Sequence, residues 1–527
     1  MSATVSLMKA DAHNLGARRW WALGAVSLCV LVVGLDGTVL SVALPTLASK
    51  LHASESDLQW FSSSYLLVLA AAMLPAGLLG DRYGRKRVLL VALALFGIGS
   101  AACAASTSSA GFIAARVLLG VAGAGVIVMA LSALTVLFSE EERPRAVGVW
   151  SAANFLALPI GPILGGWLLS HVWWGWVFLM NIPVVVVGLV AAALLMPESR
   201  AQQRPALDWV GVISSVVGLV AVTYGLIEAG QHGWGDAVAW GSIIAGLVVL
   251  AGFVGWERRL SGRPGGQPLV DPALFRSRAY TWGVILLAVA VVAMIGVLFT
   301  MPQYFQGVVG TGAMGSGVRL LPLVGGLVAG AIPADRIARA LGAKVTVVAG
   351  FAALAAALTL GSRTTLGAGG APVAAWMALA GAGLGLALAT ASSTALSELS
   401  EERSGIGSAV LQAVNKTGGP LGTAVLGSVL ASGYLARLQL GGLPAAAAHA
   451  AQRSIFGAVA VAAGLHSHQL LHSARAAFVH GMSQSLLVSA GVAAAGAVLA
   501  VLFLPGTAAQ TRAERATAAG SDVAIGA

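Results

Sequence analysis

The chain has 527 residues, of which 58% are hydrophobic and only 9% charged, whereas a soluble protein carries about 25% charged residues. This excludes a water-soluble globular protein and leaves a polytopic membrane protein. The 68 glycines fit that class, because glycine lets transmembrane helices approach closely. A net charge of +10 does not signal nucleic acid, since no soluble domain offers a basic face. Cys29 and Cys103 both sit in apolar runs and read as packing residues, with neither a disulfide framework nor zinc-ligand spacing.

A helix needs about 20 apolar residues to cross a bilayer core of about 30 Å. Fourteen such runs are predicted, at 20–44, 58–79, 88–106, 111–137, 146–170, 175–196, 209–228, 238–256, 279–304, 316–333, 343–361, 372–395, 405–436 and 477–504. The first follows Arg18 and Arg19 and is too long for a signal-peptide core, so it is predicted to be an uncleaved first helix. Lys and Arg accumulate in cytoplasmic loops. With both termini placed in the cytoplasm, most of the 30 basic residues fall on inner segments, and only Lys50, Arg363, Arg437, Arg453 and Arg475 fall on outer ones. The outer segment 437–476 holds an apolar run, Ser454–Leu465, too short to span and read as interfacial or re-entrant. His466, His468 and His472 follow it and could bind metal, sense pH, or do neither.

An ionisable residue inside a span is a functional hypothesis by default. In helix 1, Asp36 is the only acid predicted well inside a span, about 12 Å below the outer end, and Arg116 of helix 4 lies at a similar depth of about 9 Å. If both face a central cavity they can pair, and a proton arriving at Asp36 competes with Arg116 or with a cationic substrate. The alternative is an ion pair that only holds helices 1 and 4 together. The loop after helix 2 contains Gly77, Asp81, Arg82, Gly84, Arg85, Lys86 and Arg87. Its glycines permit a tight turn, and a carboxylate among guanidiniums can make ion pairs that two conformations exchange. Without such exchange, the loop is simply a positive-inside signal. Helix 5 carries Gly161, Pro162, Gly165 and Gly166, a face able to bend and to pack closely. Helix 13 offers Asn415 and Lys416, with Lys416 about 17 Å into the span. A lysine there can titrate, pair with Asp36, attract an anionic substrate, or merely pack. Asp208, Glu228 and Arg319 lie at helix ends, within reach of water.

The sequence also repeats itself. Gly123, Gly125 and Arg143 recur as Gly383, Gly385 and Arg403; Asn154, Gly161 and Pro162 recur as Asn415, Gly419 and Pro420; Asp81 and Arg82 recur as Asp335 and Arg336. Helices 1–6 therefore pair with helices 9–14, and helices 7 and 8 are an inserted hairpin. The predicted organisation is a cytoplasmic N-terminus at 1–19, a six-helix bundle at 20–196, the hairpin at 209–256, a second bundle at 279–504 and a cytoplasmic tail at 505–527. Parallel halves of this kind are a transporter design, with the substrate site between them near the midplane.

The stretch from Gly77 to Lys86 closely resembles the signature loop of the major facilitator superfamily, with a degenerate echo at Asp335, Arg336, Gly342 and Lys344. Gly161 to Gly166 resembles that family's antiporter signature. Leu35 to Pro45, Trp174 to Pro183, and Met301 to Gln306 with Arg319 to Pro322 resemble its fourteen-helix drug:proton antiporter branch. The resemblance covers about Trp20 to Pro505. It implies an all-α integral membrane fold and proton-coupled efflux of small amphipathic drugs by alternating access. The proton gradient would drive transport without cofactor or metal, and the protein would work as a monomer. It also implies a proton-coupling role for Arg116, which with Gly120 fits the helix 4 motif and whose repeat-related position is Trp376. Two departures stand out: Gly175 and the Asn415–Lys416 pair replace usual arginines; some relatives also carry a membrane carboxylate in the second half, and none is found here in mid-span. A dedicated exporter of one metabolite or endogenous antibiotic, and a non-transporting receptor, remain as alternatives. No nucleotide-binding loop and no nucleophile–base pair support an enzyme or ATP drive.

Overall fold

The computed structural model describes residues 2–138, 142–199, 208–263, 268, 270, 272–397, 401–441 and 443–505. Within its helices, the side chains of 2–18, 143–145, 147–155, 401–410 and 415–417, and a few single positions, lie outside the described residues. What is described is helical, as lipid demands, because a helix satisfies its backbone polar groups internally. The major helices are α1 (Ser2–Lys50), α2 (Glu55–Tyr83), α3 (Arg85–Ala105), α4 (Ser109–Leu137), α5 (Arg143–His171), α6 (Trp176–Leu179 continued by Asn181–Leu195), α7 (Trp209–His232) and α8 (Ala237–Ser261). They continue as α9 (Arg278–Gln303), α10 (Ala313–Arg319 continued by Leu321–Ala331), α11 (Ala343–Gly361), α12 (Gly370–Ser397), α13 (Glu401–Arg437) and α14 (His468–Phe503).

Helix starts follow local chemistry. Ser54 and Asp57 form a reciprocal capping box on α2, and Asp208, Asp236 and Ser277 accept the orphan backbone N–H groups that open α7, α8 and α9. Against the fourteen predicted spans, 12 helices among the described residues are long and apolar enough to cross, or 13 when α2, bent by 47° at Pro75, is taken as one span. The remaining run, 146–170, falls on α5, whose 29 residues exceed the length a crossing needs.

The packing repeats as the sequence does. In the first half α1 packs on α5 and α6, α4 on α2 and α3, and α3 on α6. In the second half α9 packs on α13 and α14, α12 on α10 and α11, and α11 on α14. These are the same helix pairs displaced by eight in helix order. The most extensive crossings between the halves are α2 with α13 and α5 with the first part of α10, and α1 also meets α9. The inserted hairpin lies outside this frame, where α7 packs against α2 and α13. Its partner α8 leaves Val238, Ile244, Leu247 and Val248 exposed, as a lipid-facing helix does.

The two ends of the bundle differ in charge. One, the basic face, carries the Asp81–Arg87 turn; the opposite face carries Lys50, Glu55 and Asp57. Segment 437–476, expected as a loop with an interfacial piece, is more ordered than that. It contains the helices Ala445–Arg453 and Ile455–Gly464 and the first turns of α14. At 10 residues Ile455–Gly464 is too short to cross, and it packs on α14. Tyr434 holds the segment down by donating to the Ala451 carbonyl at 2.9 Å. His468 and His472 lie on α14, and His466 adopts a left-handed turn with φ of 50°.

Candidate functional site

Asp36 and Arg116 do meet. Arg116 Nη1 donates to Asp36 Oδ2 in a short, wholly buried ion pair between α1 and α4, with side chains 0% and 1% exposed. Its Nε donates to the Phe61 carbonyl of α2 at 3.0 Å, and its guanidinium lies 4.2 Å from the centre of the Tyr65 ring. Gly120, one turn along α4, makes this possible: a Cβ there would fall 2.7 Å from the Tyr65 carbonyl, so only glycine lets α4 close on α2. The second carboxylate oxygen of Asp36 accepts from Asn181 Nδ2 of α6 at 3.4 Å, and Asn181 also donates to Ser100 Oγ of α3 at 3.1 Å. Four helices of one half thus meet at one charge pair, and a fifth, α3, braces it through Asn181. Such a pair is stable only while both partners stay, because either charge left alone in a low dielectric is costly.

A cavity of about 1200 Å³, including the space at its mouth, lies between the halves. Its walls come from α1, α2, α4, α5, α9, α10 and α13, with Thr38, Ser41, Ser62, Tyr65 and Thr423 as polar points on a surface otherwise built by residues such as Leu66, Met294 and Phe299. Asp36 and Arg116 stand behind this wall. Tyr65 separates them from the cavity: its ring covers the guanidinium and its hydroxyl donates to the Val33 carbonyl at 3.0 Å.

The helix 5 glycines sit where backbones touch. A Cβ at Gly161 would come 2.0 Å from Thr38 Oγ1, one at Gly165 2.6 Å from Val39, and one at Gly166 2.8 Å from the Ala313 carbonyl of the other half. Thr38 uses the close approach, donating to the Ala157 carbonyl at 2.9 Å. Pro162 lines the cavity, and its carbonyl lies against Gly317 of α10.

In the basic-face turn, Asp81 pairs with Arg85 at 3.0 Å within one half. The turn docks on Glu198, a residue that no pattern in the sequence singles out. Glu198 accepts from the Lys86 backbone N–H at 3.2 Å and pairs with Arg87 at 3.6 Å, and Arg85 N donates to the Ser199 carbonyl at 2.8 Å. Gly84 has φ of +109° and no room for a Cβ, which would meet Glu198 at 2.5 Å. Lys86 donates to the Ala193 carbonyl at 2.6 Å, Arg82 stacks over Tyr83, and Gly77 faces Val128. Asn415 and Lys416 fall on the α13 backbone, but their side chains lie outside the described residues. Gly175 has a local cause: Trp173 packs over it, 2.2 Å from where a Cβ would stand. Trp376, at the repeat-related position of Arg116, is buried with its indole N–H unpartnered among the described residues.

Among the described residues, polar contacts between the halves gather toward the opposite face. Gln303 Nε2 of α9 donates to Glu55 Oε1 of α2 at 3.2 Å, Gln306 Nε2 to the Val42 carbonyl of α1 at 3.1 Å, and Arg453 pairs with Asp57 at 3.8 Å. Gln306 reaches α1 from a π-helical turn, Tyr304–Val308, that follows Pro302.

Two pseudo-equivalent six-helix bundles around a shared cavity, with an ion pair behind its wall, define a membrane transporter of the two-half, alternating-access type. The chain belongs to the Major Facilitator Superfamily, whose family model matches residues 26–423. It is 34% identical to the tetracenomycin C resistance and export protein of Streptomyces glaucescens, over 93% of this chain and 92% of that one. To the multidrug efflux pump LfrA of Mycolicibacterium smegmatis it is 32% identical, covering 92% and 96% of the two chains. To the methyl viologen resistance protein SmvA of Salmonella typhimurium it is 31% identical, covering 89% and 95%. Its fold is similar to that of a bacterial homologue of the lysosomal transporter Spinster, with a TM-score of 0.64 at 15% identity over 93% and 98% of the chains. The D-xylose–proton symporter gives a TM-score of 0.58 at 15% identity over 92% and 98%.

Proposed function

We propose that the protein is a proton-coupled exporter of small amphipathic compounds, working as a monomer across the cytoplasmic membrane with both termini and the basic face in the cytoplasm. The observation that carries this reading is the cavity between the halves, largely apolar with scattered hydroxyls, in a chain whose relatives are export and resistance proteins along almost their whole length. Such a surface takes up amphipathic molecules from the cytoplasm or inner leaflet. The proton gradient supplies the energy, with no cofactor or metal. The functional units are the bundles 20–196 and 279–504, with 209–256 as an accessory hairpin.

In this mechanism Asp36 takes the proton and Arg116 sets its affinity. Neutralising Asp36 releases Arg116 toward Phe61 and Tyr65 and loosens the α1–α4–α6 junction beside the cavity. Gly161, Pro162, Gly165 and Gly166 form the surface on which α5 rolls against α1 and α10. Gly77, Asp81, Arg82, Gly84, Arg85 and Lys86 form the hinge that holds the basic face, and Asn415 and Lys416 contact substrate or the coupling network. A dedicated exporter of a single compound is the second reading, favoured by relatives named for one substrate class.

The test is uptake of tetracenomycin C, puromycin and methyl viologen into inside-out vesicles energised by a pH gradient. The proposal expects accumulation of at least one of these and its collapse when the gradient is dissipated. Undiminished accumulation without a gradient would sink proton coupling. Accumulation of only one of the three would favour the dedicated exporter.

A further inference from the structure

Asp36 is wholly buried, paired with Arg116 behind Tyr65 and bonded to Asn181. A second acid is placed differently. Glu55 opens α2 at the opposite face, on the seam between the halves, and its polar partner among the described residues is the Gln303 amide of α9 across that seam. Asp57, two residues on, is held elsewhere, by the Ser54 cap and by Arg453 of the helix Ala445–Arg453. From α13, Tyr434 lies within electrostatic reach of Glu55, but its hydroxyl is spent on the Ala451 carbonyl. Glu55 therefore has no described cation to balance a negative charge.

The acceptors around it are conspicuous. Gln303 is fully buried, and while its Nε2 donates to Glu55, its Oε1 has no partner among the described residues. Gln59, one turn along the same face of α2, is fully buried against Gly427 of α13 with both amide atoms unpartnered. An ionised carboxylate facing a primary amide makes one N–H···O bond and sets the amide oxygen against a like charge. A protonated carboxyl makes that bond and also donates its O–H to the amide oxygen, closing a two-bond pair. The Glu55–Gln303 pair, with its idle amide oxygen, is built for the second arrangement.

We infer that Glu55 is a proton-binding residue for transport: it takes up a proton from the opposite face when the halves part there, and the resulting carboxyl–amide pair with Gln303 reseals that face. The proton comes from water, adds to the carboxylate and leaves as it came, with no bond but O–H formed or broken. Along α2 from Glu55, Gln59 and then Ser62 lead to the cavity, where Ser62 and Thr423 from the two halves line the wall. A proton held at Glu55 thus sits at the head of a polar track ending at the substrate site. This inference rests on the proton-coupled reading above and adds a second titrating group to it.

The test uses full-length protein in two assays. In proteoliposomes carrying a luminal pH dye, the panel compound exported fastest by the native protein is added. Glu55→Gln is expected to lose compound-driven proton movement and gradient-driven accumulation while keeping gradient-independent exchange of that compound. Glu55→Asp is expected to recover part of the proton movement with a shifted pH profile. In detergent, infrared difference spectra on changing pH are expected to contain a protonated-carboxyl band that Glu55→Gln removes. Proton movement and a pH profile unchanged in Glu55→Gln would overturn the inference while leaving the antiport reading intact. Native protein that moves no protons would refute the antiport reading and the transport role of Glu55 with it, whether or not the band is present. Absence of a Glu55-dependent band would overturn the inference itself.

Discussion

The pairing of Asp36 with Arg116 ties a coupling hypothesis to a stability cost. Removing one member of a buried ion pair leaves the other charge uncompensated and costs about 3–5 kcal/mol. Asp36→Asn is therefore expected to reach the membrane with a clearly lowered Tm in detergent and to lose coupled export. Combining it with Arg116→Gln removes the stranded charge, so the double variant is expected to regain most of the Tm and none of the coupling. Full export by the double variant would make the pair a purely structural brace. The two charges are legible in the sequence because charge inside an apolar run stands out. Their partners are not: Asn181 and Tyr65 are ordinary members of helices, and only side-chain direction in the folded bundle brings them to Asp36 and Arg116. Glu198 hides for a related reason, since a carboxylate just past a helix end looks solvated until the basic turn folds onto it.

At the scale of the helix, the α5 glycines are where two backbones meet. Overpacking such a contact costs about 1–3 kcal/mol. Gly161→Ala is expected to force α1 and α5 apart at Thr38, and Gly166→Ala to force α5 from α10 at the Ala313 backbone, the second acting across the halves. Both are expected to lower Tm, and Gly166→Ala to slow transport more than its Tm loss explains. Gly252→Ala, on lipid-facing α8 with nothing within 4 Å of a Cβ, is the control and is expected to be neutral or stabilising. Equal behaviour of Gly166→Ala and Gly252→Ala in transport would remove α5 from the moving surface. In the basic turn, Gly84→Ala meets both a φ of +109° and Glu198, so transport assays should find it more damaging than Gly77→Ala, whose Cβ would make an ordinary 3.5 Å contact with Val128.

For the whole molecule, the repeat carried most of the architecture. Glycine, proline and arginine positions recur between the halves, and in the fold the α1–α5 contacts return as α9–α13 and the α2–α4 contacts as α10–α12. Hydropathy could not foretell which end would be shut, because closure depends on contacts between residues hundreds of positions apart, such as Gln303 with Glu55 and Gln306 with Val42. Nor could it resolve 437–476, where a 10-residue apolar helix gains its place by packing on α14 and not by crossing lipid. Among the described residues, polar contacts hold the halves together at the face away from the basic turn, with the cavity between them. In the proposed cycle this is the state that has resealed the outside and receives cargo from the cytoplasm. The central claim, antiport, is tested most directly by adding the panel compounds to proteoliposomes of inside-out orientation loaded with a pH dye. The lumen is expected to lose protons in step with compound uptake, and Asp36→Asn to abolish both. Uptake with no change in luminal pH would contradict the account.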